Sequence, residues 1–426
     1  MKQKMGRSIL LMILCLALLT MLAGCFDAKE VNDFAYVAML GIDKGVADEW
    51  RLTFLIPFSD ITASKGNGEN NAETNKYLSF TIESPSFFEG LDLANTSLPK
   101  KINFMHSNVI VFSEDLAKSG MAGTFIAPLI RHREIRRTEH VIVSRGSAEE
   151  FIKAAGAIIE SSVTKALEDL LKESDDTGYF PKIDLYDIYN GMKSTYRQPI
   201  AIYGAVNSGK KFKKDGEKKN TSDDSQGYYA GDIPREGGSK IELMGSVIAD
   251  GDRIAGKLTG QETRMMLMAR GEFKRGIFTI QDPKKPDLVI PVEVRLARKP
   301  QTRISFQDNK PMIDLKLKLE GDVLAIQSKI DYEDPKMMPV LEKAIAEHLK
   351  EELDKTIEKC LELSTDIFSF GYFAAMKFKT IQEWEDYEWN KQFKNAEVTT
   401  ALEFSIRHTG TFLSSSPIIS SEGEEQ

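Results

Sequence analysis

The sequence predicts a multi-domain α+β protein with mixed sheets, flanking helices and one long amphipathic helix that packs on antiparallel strands near the C-terminus. Between residues 36 and 206, short apolar segments alternate with helical segments, which is typical of sheets with helices packed against them. Residues 313–319 alternate apolar and polar side chains, as antiparallel strands with one solvated face do. From Leu341 to Leu361 an apolar residue recurs at every fourth position, which indicates a helix with one buried stripe.

The N-terminal half is predicted to alternate strands with helices. Strands are predicted at residues 36–40, 52–56, 78–82, 109–112, 140–143 and 200–206. One helix should follow Ser84-Pro85, a capping residue with proline at the first helical position, and two more should follow the caps Ser113 and Ser147. Residues 59–76 contain several Gly and Asn and are predicted to form a long surface loop.

The sharpest change in composition falls at residues 207–240, which are rich in Lys, Asp, Ser, Gly and Asn. Such a segment offers little apolar surface to offset the entropy of ordering, so we predict a flexible polar linker. This divides the mature chain into an N-terminal domain at 25–206 and a C-terminal domain at 241–413. A further division of the latter is expected near Pro300, into 241–300 and 301–413, and residues 414–426 are predicted to be a disordered tail.

The C-terminal half is predicted to begin with a hairpin that turns at Asp250-Gly251. A helix, two alternating strands, the long helix, an aromatic stretch and a last strand should follow, at 262–270, 290–296, 313–319, 338–363, 384–393 and 398–406. On the exposed face of the long helix, Glu351 and Lys355 have the spacing of a favourable ion pair.

The first 25 residues have the pattern of a secretory signal. Lys2, Lys4 and Arg7 precede an uncharged apolar run, and the run leads to Leu22-Ala23-Gly24-Cys25. This exit resembles the lipobox of bacterial lipoproteins. The resemblance implies that residues 1–24 are removed and that Cys25 becomes the mature N-terminus, carrying a diacylglyceryl group and, where one is added, an N-acyl chain. The alternatives are an uncleaved membrane anchor, for which the apolar stretch is short, and a secreted protein without lipid.

Loss of the signal removes three of the 56 basic residues and leaves 53 against 64 acidic ones, a formal charge of −11 (53 − 64). An acidic body argues against nucleic acid as a partner, because phosphate binding needs clustered Lys and Arg. Cys15 leaves with the signal and Cys25 is expected to be acylated, so Cys360 remains alone. The mature chain therefore has no disulfide framework.

The sequence contains no catalytic or metal-binding pattern, and we expect no enzyme, no metal and no cofactor other than the lipid. The five histidines show no metal-ligand spacing, and no nucleophile elbow or dinucleotide loop is present. Cys360 lies on the apolar stripe and is expected in the core rather than as a nucleophile. Residues 251–257 spell GxxxxGK, but Leu258 stands where a phosphate-binding loop needs Ser or Thr, and the segment is predicted to be a hairpin strand.

The strongest local charge feature is the run Arg-His-Arg-Glu-Ile-Arg-Arg at residues 131–137. One interpretation is a solvated loop whose arginines pair with local carboxylates. The other gives Arg133, Arg136 and Arg137 a contact with phospholipid headgroups or with an acidic partner surface. For the aromatic stretch at 384–393, helical spacing favours a core position over a sugar-binding or membrane-binding platform.

Taken in order, the motifs resemble those of Ger(x)C-type spore germination lipoproteins, the C subunits of nutrient germinant receptors in endospore-forming Gram-positive bacteria. They extend over nearly the whole chain and comprise the lipobox with Cys25, residues 30–34 and 41–44, 107–117, 133–138, 245–264, 366–371, Trp384 and Trp389, and 406–410. Phe26 follows the cysteine where many relatives have Trp, and it keeps the aromatic character.

The resemblance implies a non-enzymatic subunit on the outer face of the spore inner membrane, with a fold of three α+β domains in a row. It also implies assembly with an integral-membrane A subunit and a transporter-like B subunit in a complex that responds to amino acids, sugars or nucleosides. The germinant itself, and whether this subunit binds it, are left open. The alternatives are an extracytoplasmic solute-binding lipoprotein, which would need two similar doubly wound lobes, and a lipid-anchored secreted enzyme, which would need a catalytic constellation.

Overall fold

The computed structural model describes residues 30–57, 77–157, 163–207 and 227–410, together with residues 6, 12–14, 209, 419–420 and 423–424. Cys25, the loop predicted at 59–76 and much of the predicted linker lie outside the described residues. Within them, no helix combines the length and the apolar character that crossing a bilayer requires.

The strands carry most of the architecture. Numbered along the chain, they are β1 (Phe34–Tyr36), β2 (Met39–Lys44), β3 (Trp50–Pro57), β4 (Tyr77–Ser84), β5 (Lys101–Asn103), β6 (Val109–Ser113), β7 (His140–Ser144), β8 (Ile200–Val206), β9 (Ile241–Asp250), β10 (Arg253–Leu258), β11 (Arg275–Gln281), β12 (Val289–Leu296), β13 (Gln301–Gln307), β14 (Lys310–Val323), β15 (Glu397–His408), β16 (Ile419–Ser420) and β17 (Gly423–Glu424).

The helices pack on these strands or join them. They are α1 (Phe87–Asn95), α2 (Glu114–Ser119), α3 (Ala122–Arg131), α4 (Ala148–Gly156), α5 (Val163–Lys172), α6 (Ser174–Thr177), α7 (Leu185–Lys193), α8 (Gly260–Arg270), α9 (Met338–Glu362), α10 (Phe370–Ala375), α11 (Ile381–Tyr387) and α12 (Trp389–Gln392).

The first sheet has eight strands in the order β10-β9-β8-β7-β6-β2-β3-β4. Its centre, β2, β6, β7 and β8, is parallel, and antiparallel strands complete both edges. Every residue of β6 is buried, as expected for a parallel strand with helices on both faces. Val109 and Val111 pack with Phe151 of α4, whereas Ile110 and Phe112 join the core on the opposite face.

The second sheet is built around β14, the longest strand. β12 and β13 pair with it in antiparallel register and β11 pairs with β12, which confirms the predicted antiparallel strands. β15 instead runs parallel to β14, which the sequence analysis did not predict. The long helix α9 packs against β15, and the two sheets share one continuous apolar core.

The long helix agrees with its prediction. Its stripe residues Leu341, Ile345, Leu349, Leu353 and Ile357 are buried, together with Cys360, while Leu361 at the end is half-buried. The Glu351 carboxylate lies 3.0 Å from the Lys355 ammonium, the exposed ion pair that the spacing indicates. At 25 residues and 1.5 Å per residue the helix spans about 38 Å.

Two of the three predicted helix caps are confirmed. The hydroxyls of Ser113 and Ser147 accept hydrogen bonds from the third backbone N–H of α2 and α4. The cap of α1 is Ser86 rather than Ser84, because β4 extends through Ser84. The Ser84 hydroxyl donates instead to the Ser86 carbonyl.

The first sheet continues across the segment predicted as a linker. β9 pairs with β8, so residues 241–258 complete the N-terminal sheet instead of starting a separate one. Residues 227–240 also pack: Ala230 is fully buried, Tyr228 and Tyr229 contact the core, and Arg235 bonds to Glu242. The prediction that this part is a flexible polar linker is therefore wrong, because its two tyrosines and alanine supply apolar surface.

The structure also bears on the predicted division near Pro300 and on the predicted C-terminal tail. β12 and β13 lie on either side of Pro300 and both pair with β14, so a division near Pro300 would cut through one sheet. Of the tail predicted as disordered at 414–426, the structure describes β16 and β17, which form a short antiparallel pair.

Candidate functional site

Residues 131–137, termed the basic loop below, connect the end of α3 to the approach to β7. The loop has a defined path: the Ile135 side chain is buried, and the Ile135 N–H donates to the His132 carbonyl at 3.1 Å. The Arg137 carbonyl accepts from the Tyr186 N–H at 3.0 Å. This path leaves the side chains of Arg133 and Arg136 exposed, like that of Arg137.

Two glutamates position the basic loop from beneath. Glu139 is only 2% exposed, and its carboxylate accepts hydrogen bonds from the Ser107 hydroxyl at 2.8 Å and the Arg136 backbone N–H at 3.0 Å. Burial raises the pKa of Glu139 to about 7, against which the hydrogen bond from Ser107 acts. The carboxylate of Glu134 accepts from the Phe104 backbone N–H at 3.4 Å.

The carboxylates of Glu134 and Glu139 thus accept hydrogen bonds from backbone and hydroxyl groups and none from guanidinium groups. In the part of the chain that the structure describes, the guanidinium groups of Arg133, Arg136 and Arg137 form no ion pair. Among the described residues, the interpretation in which they pair with local carboxylates is represented only by the longer-range effect of the Arg136 charge, which acts to lower the pKa of Glu139. Their contact with headgroups or an acidic partner stays a prediction.

The predicted lipid-bearing residue, Cys25, lies outside the described residues. The continuously described chain begins at Glu30, five positions after Cys25, and passes through a short turn, Val31–Asp33, into β1. β1 pairs in parallel with β5, with Phe34 opposite Lys101. The described chain therefore enters the fold through the separate two-stranded β1–β5 ribbon.

The phosphate-loop-like segment forms the hairpin that the sequence predicts, with β9 and β10 antiparallel. Lys257 points to the interior of the fold, where its amino group lies 3.2 Å from both the Glu114 carboxylate and the Tyr203 hydroxyl. Burial alone would raise the pKa of Glu114, but hydrogen bonds from Lys118, Tyr203 and Lys257 lower it to about 2. The lysine thus belongs to a structural ion pair and is not free to hold a nucleotide phosphate.

The other residues with reactive side chains are also structural. Cys360 is fully buried and free, and burial raises the pKa of its thiol, so the nucleophilic thiolate is disfavoured. The aromatic stretch is core, as predicted: Trp384, Tyr387, Trp389 and Phe393 are each at most 8% exposed. Among the residues with described positions, no group of three or more His, Cys, Asp or Glu side chains could hold a metal ion.

Two buried charges near the contact between the sheets were missed by sequence reasoning. Arg264 is 3% exposed; its guanidinium lies 3.5 Å from the centre of the Tyr179 ring and donates to the carbonyls of Thr177 and Ile277 at 2.7 and 2.9 Å. Burial lowers its pKa to about 10. The available signal was an arginine directly before Met265-Met266, within a helix that is buried nearly all round.

Asp366 is the second such charge and is fully buried. Its carboxylate accepts hydrogen bonds from the backbone N–H groups of Phe368, Phe370 and Gly371 and from the Trp389 indole at 3.0 Å. Burial raises its pKa to about 6. Its backbone carbonyl accepts from the Gln198 N–H at 2.8 Å, so this turn joins the segment before β8 to the C-terminal half.

An apolar cavity of about 50 Å³ lies between α3, α7 and the first sheet. Phe112, Ile126, Val143 and Ile188 line it, and Asp252 contributes a charged group. For comparison, an engineered apolar cavity that binds benzene has a volume of about 150 Å³. The cavity is therefore too small, in this conformation, for an amino acid or a sugar.

Comparisons with known proteins match both halves of the chain. A family model described as spore germination protein N-terminal domain matches residues 27–206, and one described as spore germination B3/GerAC like, C-terminal, matches residues 244–410. Spore germination protein KC of Bacillus subtilis (strain 168) is 23% identical over 95% of this chain and 97% of its own. Spore germination protein B3 of the same organism is 22% identical over 92% of this chain and 96% of its own.

The fold is similar to the crystal structure of the GerBC protein. The TM-score is 0.51 at 14% sequence identity, and the match covers 86% of this chain and 96% of that one. At this identity the likeness concerns the fold.

Proposed function

Because this chain belongs to the GerAC-like family of spore germination proteins, the C-type subunits of germinant receptors, we propose that it acts as a lipid-anchored, non-enzymatic receptor subunit on the outer face of the spore inner membrane. The observation that carries the proposal is the lipobox Leu22-Ala23-Gly24-Cys25, placed directly before residue 27, where the first family match begins. Two or more acyl chains on Cys25 would hold the acidic body stably at a bilayer.

The non-enzymatic role is supported by how the described residues use their reactive groups. The Cys360 thiol is enclosed, Lys257 is paired with Glu114, and Asp366 is saturated by four donors. Each of these groups is thus enclosed or bonded within the fold. The subunit would then contribute by binding and positioning rather than by chemistry.

Assembly with an integral-membrane A subunit and a transporter-like B subunit is the partner proposal. The likeness to spore germination proteins over nearly their whole length supports it. The alternative of a solute-binding lipoprotein is disfavoured by the second sheet, whose strands are mostly antiparallel and do not repeat the first sheet.

The proposal is tested on dormant-spore membranes with an affinity-tagged chain. Mass spectrometry should find Cys25 as the lipid-modified first residue, and the tagged chain should bring down the A and B subunits. The Cys25→Ala variant should leave the membrane fraction and abolish the nutrient response, although its folded body is unchanged. An unmodified Cys25, or a native chain that co-purifies with transporter components instead, would refute the proposal.

A further inference from the structure

The first described residues after the predicted anchor expose apolar side chains. Val31 is 71% exposed, and the rings of Phe34 and Tyr36 are half-buried, with their centres 6.0 Å apart. Ala35 packs on the core between them. Because successive side chains of a strand point to opposite faces, Phe34 and Tyr36 lie on the outer face of the β1–β5 ribbon.

The turn after β5 extends this apolar surface. Met105 is 54% exposed, and the His106 ring stacks on Tyr36 with 4.3 Å between ring centres. Phe88, on α1, is 48% exposed and lies 5.6 Å from the ring of His132, at the start of the basic loop. We term the set Val31, Phe34, Tyr36, Phe88, Met105 and His106 the apolar strip.

The apolar strip and the basic loop form one continuous surface. Ser107, next to His106, donates its hydroxyl to Glu139, and the same carboxylate accepts the Arg136 N–H. Phe104, next to Met105, donates its N–H to Glu134 of the loop. The buried carboxylate of Glu139 and the half-buried carboxylate of Glu134 thus join the two parts, while the guanidinium groups remain exposed.

The position of the anchor limits what can face this surface. Val31 follows Cys25 by six residues, so a fully extended chain would place it at most about 20 Å from the lipid-bearing residue. Aromatic and basic side chains are typical of protein surfaces at the level of lipid headgroups. The mature body carries a formal charge of −11, which opposes approach to anionic lipid, and the three arginines supply local positive charge that acts against this repulsion. The exposed acidic residues Glu30 and Asp33 lie on either side of Val31, so the interaction of Val31 with a bilayer would be hydrophobic rather than electrostatic.

We propose that the apolar strip and the basic loop together form a membrane-docking surface for phospholipid, which sets the orientation of the anchored protein. Val31 and Met105 enter the headgroup layer, and the guanidinium groups of Arg133 and Arg136 contact lipid phosphates. This inference rests on the proposed lipidation of Cys25 and adds that the body lies against the bilayer by a specific face.

Two exposed methionines provide a matched test. Met105 lies in the apolar strip, and Met376, which is 62% exposed, follows α10 in the C-terminal half. Each is changed separately to Cys in the full chain and labelled with an environment-sensitive dye; Cys360 is fully buried and is protected from the reagent. The lipidated variants are reconstituted in vesicles of phosphatidylethanolamine and phosphatidylglycerol that contain spin-labelled quencher lipid. We expect fluorescence loss for the dye at residue 105 and none for the dye at residue 376.

Equal quenching at both sites, or none at residue 105, would overturn the docking surface. Shielding of residue 105 only after the A and B subunits are added would also overturn it and would assign the surface to a protein partner. A chain that carries no lipid on Cys25 and does not float with the vesicles would instead refute the proposed function. The two failures are distinguished by the mass of Cys25 and by vesicle flotation, and thermal unfolding checks that each labelled variant is folded.

Discussion

The contact between the two sheets and the surface near the proposed anchor contain the same kinds of residues in opposite environments. Arg264 is enclosed, donates to two backbone carbonyls and stacks on Tyr179. Arg133, Arg136 and Arg137 are exposed and, among the described residues, form no ion pair. Removing a buried charge's partners is costly, whereas an exposed arginine contributes little to folding. The arginine at the contact between the sheets is part of the packed structure, whereas the arginines of the basic loop remain available to another surface.

The aromatic residues differ in the same way. Trp384, Tyr387 and Trp389 pack with one another inside the C-terminal half, and the Trp389 indole is bonded to Asp366. Tyr36 and His106 stack on the outside of the β1–β5 ribbon. The comparison teaches that residue type alone does not distinguish a structural cluster from an interaction surface. The two are distinguished by whether the polar groups already have hydrogen-bond or ion-pair partners within the protein.

The largest effect should come from a charge placed in the core. Changing Leu353 to Asp buries a carboxylate in the stripe of α9, where Leu353 is 1% exposed. We expect a loss of about 4 kcal/mol or more in the free energy of unfolding, enough to remove the protein from spores. Lys343→Asp on the exposed face of the same helix is the control and should change stability by less than about 0.5 kcal/mol. Equal stability of the two variants, measured by chemical denaturation, would show that the stripe is not core.

The arginine comparison can be tested directly. Arg264→Ala should cost about 3 kcal/mol, because it leaves the Thr177 and Ile277 carbonyls without their buried donor and removes the contact with Tyr179. Arg137→Ala should change stability by less than about 0.5 kcal/mol. Denaturation midpoints of the two variants measure the difference. Similar costs at both positions would break the distinction between a structural and an available arginine.

Glu139 predicts a pH dependence. Its pKa is raised from 4.5 to about 7, so the folded state binds a proton that the unfolded state has released. The contribution of Glu139 to the free energy of unfolding is therefore fully present below about pH 4.5 and decreases as the pH rises to about 7. The total decrease is at most about 3 kcal/mol, and no further change is expected above that pH.

The Glu139→Gln variant should lack this decrease, because the neutral side chain keeps a hydrogen-bonding group for Ser107 and for the Arg136 N–H. Unfolding free energies measured at several pH values in this interval provide the comparison. Glu347→Gln, at an exposed position of α9, is the matched control and should retain the wild-type slope. A wild-type slope in Glu139→Gln would show that other groups cause the dependence.

The smallest effect on folding should accompany the replacement of all three available arginines. Arg133→Gln, Arg136→Gln and Arg137→Gln together should leave the unfolding free energy within about 1 kcal/mol of wild type. Quenching of the dye at residue 105 by vesicle lipid should nevertheless fall. The difference from wild type should shrink at high salt, since screening weakens the attraction that the arginines provide. Unfolding of the triple variant would instead identify the arginines as structural.

Local features of the fold could be predicted from the sequence because their causes are local. The caps Ser113 and Ser147, the hairpin at Gly251 and the stripe of α9 depend on residues within a few positions of one another. The family likeness, too, followed from motifs in their order.

Long-range pairing could not be predicted in the same way. Alternation in β15 indicates a strand but not that its partner is β14 or that the two are parallel. Nor does composition show that β9 crosses back to β8, since the hydrogen bonds of a strand carry no sequence signature.

In the candidate site, too, some residues could be predicted from the local sequence and others only from the fold. The arginines of the basic loop are visible as a run of charge, and Cys25 as part of a lipobox. Glu139, which positions the loop, lies in no motif of its own, and only the fold brings Ser107 to its carboxylate. The apolar strip combines residues from β1, α1 and the turn after β5, so no window of sequence contains it.

The parallel pair β14–β15 also determines when the protein can finish folding. Met312 pairs with Glu397, a separation of 85 positions (397 − 312), and the intervening chain contains the long helix and the aromatic stretch. Closing such a loop lowers the conformational entropy of the chain before the strand contacts that offset this loss have formed, so this step is expected to be slow. Until β15 arrives, one edge of β14 presents unpaired backbone groups to any other strand nearby. A chain that is still being synthesised, or one truncated before residue 397, would therefore be prone to aggregation through this edge.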